Sequence, residues 1–188
     1  MKRIIFLLIP AFCTICVLPV SAQQPNGSGR PGATAQPIPG PFTNTTINYI
    51  RTYEPSVPIS DPAAVSTNNN LRQVRQNSQY FDGLGRPLQT VSKGMGKDGK
   101  DIVAPVVYDQ FGREQFKYLP YVSPSSDGKF KTNPFVEQAG FMGGYHQGEQ
   151  IYYGETEFEA SPLNRVMKAY APGNSWSRTG GNVQWWRP

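Results

Sequence analysis

From residue 45 onward, apolar residues fall in short runs rich in β-branched and aromatic side chains, separated by polar turn formers. Runs of that kind predict strands. They lie at 45–53, 73–81, 87–92, 102–108, 114–121, 150–159 and 165–170, with a last one at 182–186. Between them stand Asp82-Gly83-Leu84-Gly85, Lys97-Asp98-Gly99-Lys100 and Asp109-Gln110-Phe111-Gly112. Asp opens a type I turn well, and Gly takes the left-handed position that follows. The pattern predicts an antiparallel meander of hairpins.

One segment has helical spacing instead. Asn133 can cap it and Pro134 suits its first position, and Phe135, Val136, Ala139 and Met142 follow before Gly143-Gly144 stops it. Residues 54–70, with three prolines and the run Asn68-Asn69-Asn70, predict a loop. Residues 23–41 hold five Pro and four Gly with almost no large apolar residue, and predict a flexible linker. Folding is expected to begin near Phe42.

Composition supports a mainly β chain. It has 19 Gly and 18 Pro in 188 residues, with 12% aromatic and only 16% charged residues, which argues against bundles and coiled coils. A single His and two Cys exclude Cys/His zinc clusters and twin-His metal sites, and no cofactor is expected.

Met1-Lys2-Arg3, the apolar run 4–18 and Val20-Ser21-Ala22 have the order of a secretory signal peptide, residues 1–22. The run is too short and proline-interrupted for a stable membrane span. Cleavage after Ala22 would remove Cys13 and Cys16, leaving no thiol, and would lower the formal charge of +5 by two. The remaining basic residues are dispersed, so a nucleic-acid partner is not expected. The expected location is outside the cytoplasm, in the periplasm, at the cell surface or beyond.

Two segments share one spelling. Tyr80-Phe81-Asp82-Gly83-Leu84-Gly85-Arg86 and Tyr108-Asp109-Gln110-Phe111-Gly112-Arg113 both read aromatic-Asp-x-x-Gly-Arg, with Asp82 and Asp109 27 residues apart. The aromatic ends one strand, Asp-x-x-Gly turns, and Arg opens the next. A degraded third copy is Ser161-Pro162-Leu163-Asn164-Arg165, with Ser opening the turn and Asn in the left-handed place. Periodic hairpins imply a spiralling sheet whose units lean on their neighbours. Tyr80, Phe81 and Tyr108 are then expected between hairpins, with Arg86 and Arg113 reaching neighbouring turns.

This spelling resembles the YD repeat of RHS proteins, teneurins and toxin-complex subunits. Residues 158–165, with Tyr170-Ala171-Pro172-Gly173-Asn174-Ser175-Trp176, resemble the N-terminal region of RHS proteins from Bacteroidota. The resemblance spans 46–176. It implies a β-shell wound from many such repeats, which in toxin-bearing members encloses a C-terminal effector. The chain carries neither the later repeats nor the self-cleaving core. The implied reading for 42–188 is therefore an incomplete part of a larger shell, partnered by the rest of a longer RHS protein or by further repeats.

Other candidate chemistry is sparse. His146 sits in a Gly-rich turn without a nucleophile-elbow spelling. Glu155, Glu157 and Glu159 alternate as a polar strand face does, although paired carboxylates also serve glycoside hydrolysis. Gly94 to Gly99 lacks the ending of a phosphate loop. Tyr152-Tyr153, Trp176, Trp185 and Trp186 admit two readings, core packing or stacking on surface carbohydrate. The expected function is an exported, non-catalytic scaffold segment; the alternative is a small secreted carbohydrate-binding module using those Trp residues.

Overall fold

The computed structural model describes residues 32–44 and 47–180. The signal peptide 1–22, the start of the 23–41 stretch, and the 182–186 strand with Trp185 and Trp186 lie outside the described residues. The chain is mainly β, and the described residues form two antiparallel sheets and one helix longer than two turns. The first sheet has the order β1 (Asn48–Pro55), β2 (Val74–Phe81), β3 (Pro87–Ser92), β4 (Ile102–Pro105), β6 (Tyr121–Val122). The second has β5 (Phe116–Tyr118), β7 (Tyr153–Phe158) and β8 (Val166–Tyr170).

Strand periodicity sets the buried face. In β2, Val74, Ser78 and Tyr80 are buried; in β3, Gln89 and Val91; in β4, Val103 and Pro105. Val91 and Val103 sit opposite each other across β3 and β4, both fully enclosed. Each such valine contributes about 1.5–3 kcal/mol by leaving water. Tyr80, Tyr121 and Met142 complete this core, with Leu119, Phe130 and Phe141 against it.

The expected strand at 114–121 divides in two. Pro120 has no N–H to give to a ladder and restricts Leu119 before it. β5 and β6 consequently join different sheets. β4 and β5 are joined beside their turn, where the Asp109 N–H donates to the Arg113 carbonyl at 2.9 Å. Farther from the turn, Ile102 and Val103 of β4 pair instead with Val122 and Tyr121 of β6. The two sheets therefore meet at this turn and diverge from it.

Helix α2 (Pro134–Tyr145) packs against β4 and β6, burying Phe135, Gln138 and Met142. The Gln138 amide donates to the Leu119 carbonyl, at the bend between sheets, at 2.5 Å. The helix lies where its spacing predicts and Pro134 is its first residue, but Gly143-Gly144 do not stop it: both lie within α2, which runs on to Tyr145. Asn133, in the capping position, makes no side-chain cap, and its buried Oδ1 has no hydrogen-bond partner.

Two expectations are corrected. The 54–70 segment is not all loop: β1 runs on to Pro55, and a short helix, α1 (Pro62–Thr67), follows. Asp61 caps α1 by accepting the Ala63 N–H at 2.9 Å, with Pro62 in the first position. Nor do residues 32–41 hang free. They have no regular secondary structure, yet Gln36 is tied to Tyr153, and Phe42 rests on Phe130 and Phe135.

A buried ionic cluster closes the sheet's far end. Lys131 Nζ donates to Asp101 at 2.9 Å and to Asp127 at 2.6 Å. Asp101, fully enclosed, also accepts the N–H groups of Gly94 and Gly128. The Gln89 side chain accepts the Lys131 N–H and donates to the Lys131 carbonyl. Gln89 thus does for the 123–132 segment what a ladder partner does for a strand, and its enclosed polar atoms are satisfied.

Candidate functional site

The two aromatic-Asp-x-x-Gly-Arg turns and the degraded third copy form one row along the edge of the hairpins, while the 97–100 turn joins β3 to β4 at their other end. In the first, Asp82 Oδ1 accepts the N–H groups of Leu84 at 2.9 Å and Arg86 at 2.8 Å, and Oδ2 accepts Arg86 Nε at 2.8 Å. In the second, Asp109 Oδ1 accepts the N–H groups of Phe111 and Arg113 at 2.9 Å each, and Oδ2 accepts Arg113 Nε at 2.8 Å. Identical spelling has produced an identical bonding pattern. Gly85 and Gly112 occupy left-handed backbone at φ 78° and 77°, as the turn type requires.

Both carboxyls are held below the ordinary carboxylate range. For Asp82 the Arg86 backbone N–H acts most strongly, with smaller help from the guanidinium and the Leu84 N–H. At Asp109 partial burial pushes upward, but the backbone and side chain of Arg113 and the Phe111 N–H outweigh it.

The third copy keeps this plan by different means. Asn164 takes the left-handed place at φ 53°, and its N–H donates to the Ser161 carbonyl at 3.3 Å. Ser161 does open the tip. The carboxylate of the turn comes from Glu159, two residues earlier. The Glu159 N–H donates to the Arg165 carbonyl at 2.9 Å, as Asp109 does to Arg113. Glu159 Oε1 accepts the Ser161 hydroxyl at 2.7 Å and the Arg165 N–H at 3.3 Å. Phe158-Glu159 therefore matches Tyr108-Asp109, with a longer acid spanning a longer loop. The aromatic-acid pair was the available signal in the sequence, and the serine obscured it.

Each arginine reaches the following turn. The Arg86 guanidinium lies over the Tyr108 ring at 4.5 Å, and the Tyr108 hydroxyl donates to the Pro87 carbonyl at 2.9 Å. A Cβ placed on Gly112 would come within 2.9 Å of Arg86 Nη1. Arg113 repeats the arrangement one turn on, over Phe158 at 4.6 Å, with Nη1 donating to Asn164 Oδ1 at 3.0 Å. Arg165, the third, is 69% exposed. Leu84, Phe111 and Leu163, each just before the left-handed residue of its turn, are all exposed and make an apolar row along the edge.

The aromatics distribute between core and surface. Tyr80 is buried against Tyr49 and Phe130, while Phe81 is half-buried beside its turn. Tyr153 is buried and Tyr152 half-buried, so this pair packs. Trp176 is half exposed. The glutamates do not form an open polar face. Glu155 is buried and paired with Arg178 at 3.1 Å, and Glu157 faces Lys168 at 3.6 Å. Their strand packs on β5 and β8, which leaves Glu155 inside. His146 is exposed at the end of α2, its ring against Tyr145. Among the described residues no group of three or more His, Cys, Asp or Glu side chains could hold a metal ion, and no helix is long and apolar enough to cross a membrane.

Fold and site together define a mainly β domain organised by a row of acid-anchored hairpin turns. A family model described as "Domain of unknown function (DUF6443)" matches residues 51–185, and the chain belongs to that family. No curated protein and no solved structure matches it.

Proposed function

We propose that this chain is an exported, non-catalytic segment of an RHS/YD-repeat protein and builds the start of a β-sheet scaffold. The observation that carries the reading is the arginine relay. Arg86 sits on the aromatic of the second turn and Arg113 on that of the third. Such contacts are propagated by units that each stabilise the next. Arg165 presents the same group at the outer turn, beside the exposed Val166 and Met167 of edge strand β8. The partner on this reading is a further repeat of the same polypeptide. It would place an aromatic under Arg165 and a strand along β8.

The reading is tested on cells that carry the gene. An antibody raised against residues 42–180 is expected to detect, in the envelope or secreted fraction, a polypeptide far longer than 188 residues. Detection only in the cytoplasm, or only at the size of 188 residues, contradicts it.

A further inference from the structure

We propose that the groove beneath residues 34–42 is a peptide-binding site for an extended, uncharged segment with proline at alternate positions. The chain's own Gln36-Pro37-Ile38-Pro39-Gly40-Pro41 occupies it in cis. The inference concerns a surface away from the turn row and does not rest on the scaffold reading.

The groove floor is aromatic. Tyr108, Phe116, Tyr118, Tyr153, Tyr152 and Phe135 line it, contributed by the turn region, both strands of the β5–β7 pair and α2. Tyr118 and Tyr153 lie 5.3 Å apart and Tyr118 and Phe135 4.8 Å apart, so the floor is continuous. Its two acids are already engaged, Asp109 by Arg113 and Glu155, under Thr34 and Gln36, by Arg178. Nothing on the floor calls for a charged occupant.

The segment above donates three backbone hydrogen bonds, and its Phe42 ring rests on Phe130 and Phe135. Thr34 N–H donates to Thr179 Oγ1 at 3.0 Å, Gln36 N–H to the Tyr153 hydroxyl at 2.8 Å, and Phe42 N–H to the Thr132 carbonyl at 2.8 Å. Between these anchors Pro37, Pro39 and Pro41 have no N–H to leave unpaired, and their rings fix φ in advance. Proline-rich segments dock in aromatic grooves for this reason: little conformational entropy remains to be lost.

The fit is incomplete, which makes exchange feasible. Ile38 is 55% exposed. A cavity of about 270 Å³ lies on the α2 side, between Ile38, Pro39, Tyr118, Phe135 and Tyr152. Another of about 210 Å³ lies toward the second turn, between Pro37, Pro39, Tyr108 and Phe116. Each exceeds the roughly 150 Å³ that admits a benzene ring. A segment from another polypeptide with the same alternation and bulkier residues between its prolines would fill both. The cis segment competes at the millimolar effective concentration of a short tether.

The test uses the full chain and a fluorescent peptide of sequence GATAQPIPGP, residues 32–41, followed by anisotropy. The chain carrying Pro37→Asp and Pro39→Asp, which releases its own segment, is expected to bind the peptide at least tenfold more tightly than the unaltered chain. Adding Tyr153→Phe, which removes the acceptor for the Gln36 N–H, is expected to weaken that binding severalfold. If the double variant loses its cooperative melt, Gln36→Pro takes its place, since it removes the N–H that Tyr153 accepts and leaves Pro37 and Pro39 in place. Equal affinity for the released and unaltered chains, or no binding to either, overturns the proposal. Dimerisation of the released chain by light scattering, without peptide binding, also overturns it and assigns the groove to a second copy.

Discussion

Arg113 Nη1 donates to Asn164 Oδ1 at 3.0 Å, joining the second hairpin turn to its degraded copy. The same guanidinium is held by Asp109 of its own turn and lies on Phe158 of the next. One side chain therefore sets the shape of its turn and the spacing to its neighbour. Arg86 does the same between the first and second turns.

The left-handed glycines should be costly to replace, and unequally so. Gly85→Ala places a Cβ in open space, leaving only the backbone penalty, about 1–2 kcal/mol. Gly112→Ala carries that penalty and also pushes Arg86 Nη1 off its site. Denaturant titration should find both variants destabilised, with Gly112→Ala the worse. In an Arg86→Ala background the two should become equal.

Stability should fall in acid and again at high pH. Asp82, Asp109 and Asp127 titrate below their unfolded values, so their contribution is complete above the ordinary carboxylate range and is lost as pH falls through the folded values. Lys131 is the opposite case. Burial lowers its pKa, but the hydrogen bonds to Asp127 and Asp101 outweigh this and raise it. Its contribution is complete below the ordinary lysine range and lost as pH rises through the folded value. Melting temperature against pH should show a plateau between these limits, and Asp109→Asn should flatten its acid side.

Lys131→Met should be the most damaging of these substitutions. It leaves Asp101 enclosed with its charge unpaired, at a cost of about 3–5 kcal/mol. In a domain of this size that lowers the melting temperature by roughly 10 °C. Lys131→Met with Asp101→Asn should recover part of the loss. Full tolerance of the single change would show that the ion pair is not what fixes the 123–132 segment.

Leu84→Ser and Leu163→Ser should leave stability within about 0.5 kcal/mol of the parent, because both side chains lie in solvent at the turn tips. A larger loss in either would place that side chain in a contact of the folded domain.

Much of this arrangement was legible in the sequence because turn chemistry is local. Asp82, Gly85, Asp109 and Gly112 announce their turns by spelling, and even Asn164 falls in the left-handed place predicted for it. The limits of β2, β3 and β8 were legible to a residue for the same reason, whereas β4 ends and β7 begins three residues inside the expected run. What depended on distant contacts was not. Pro120 marks a break, but that β5 pairs with β7 and β6 with β4 depends on strands distant in the chain. Glu159 was hidden because a carboxylate two residues upstream can replace one at the turn's start, and only the fold brings it there. The prolines of residues 32–41 suggest a free linker, because composition says nothing of the aromatic floor that receives them.

The most direct measurement is a double-mutant cycle on Arg113 and Phe158, which belong to successive turns and meet at 4.6 Å. If each turn holds the next, Arg113→Ala and Phe158→Leu should be coupled by about 0.5–2 kcal/mol in denaturant unfolding. The cycle on Arg86 and Tyr108 should give a coupling of similar size and the same sign. Additive losses in both cycles, within about 0.3–0.5 kcal/mol, would mean that the turns stand independently and that the relay is not what organises the scaffold.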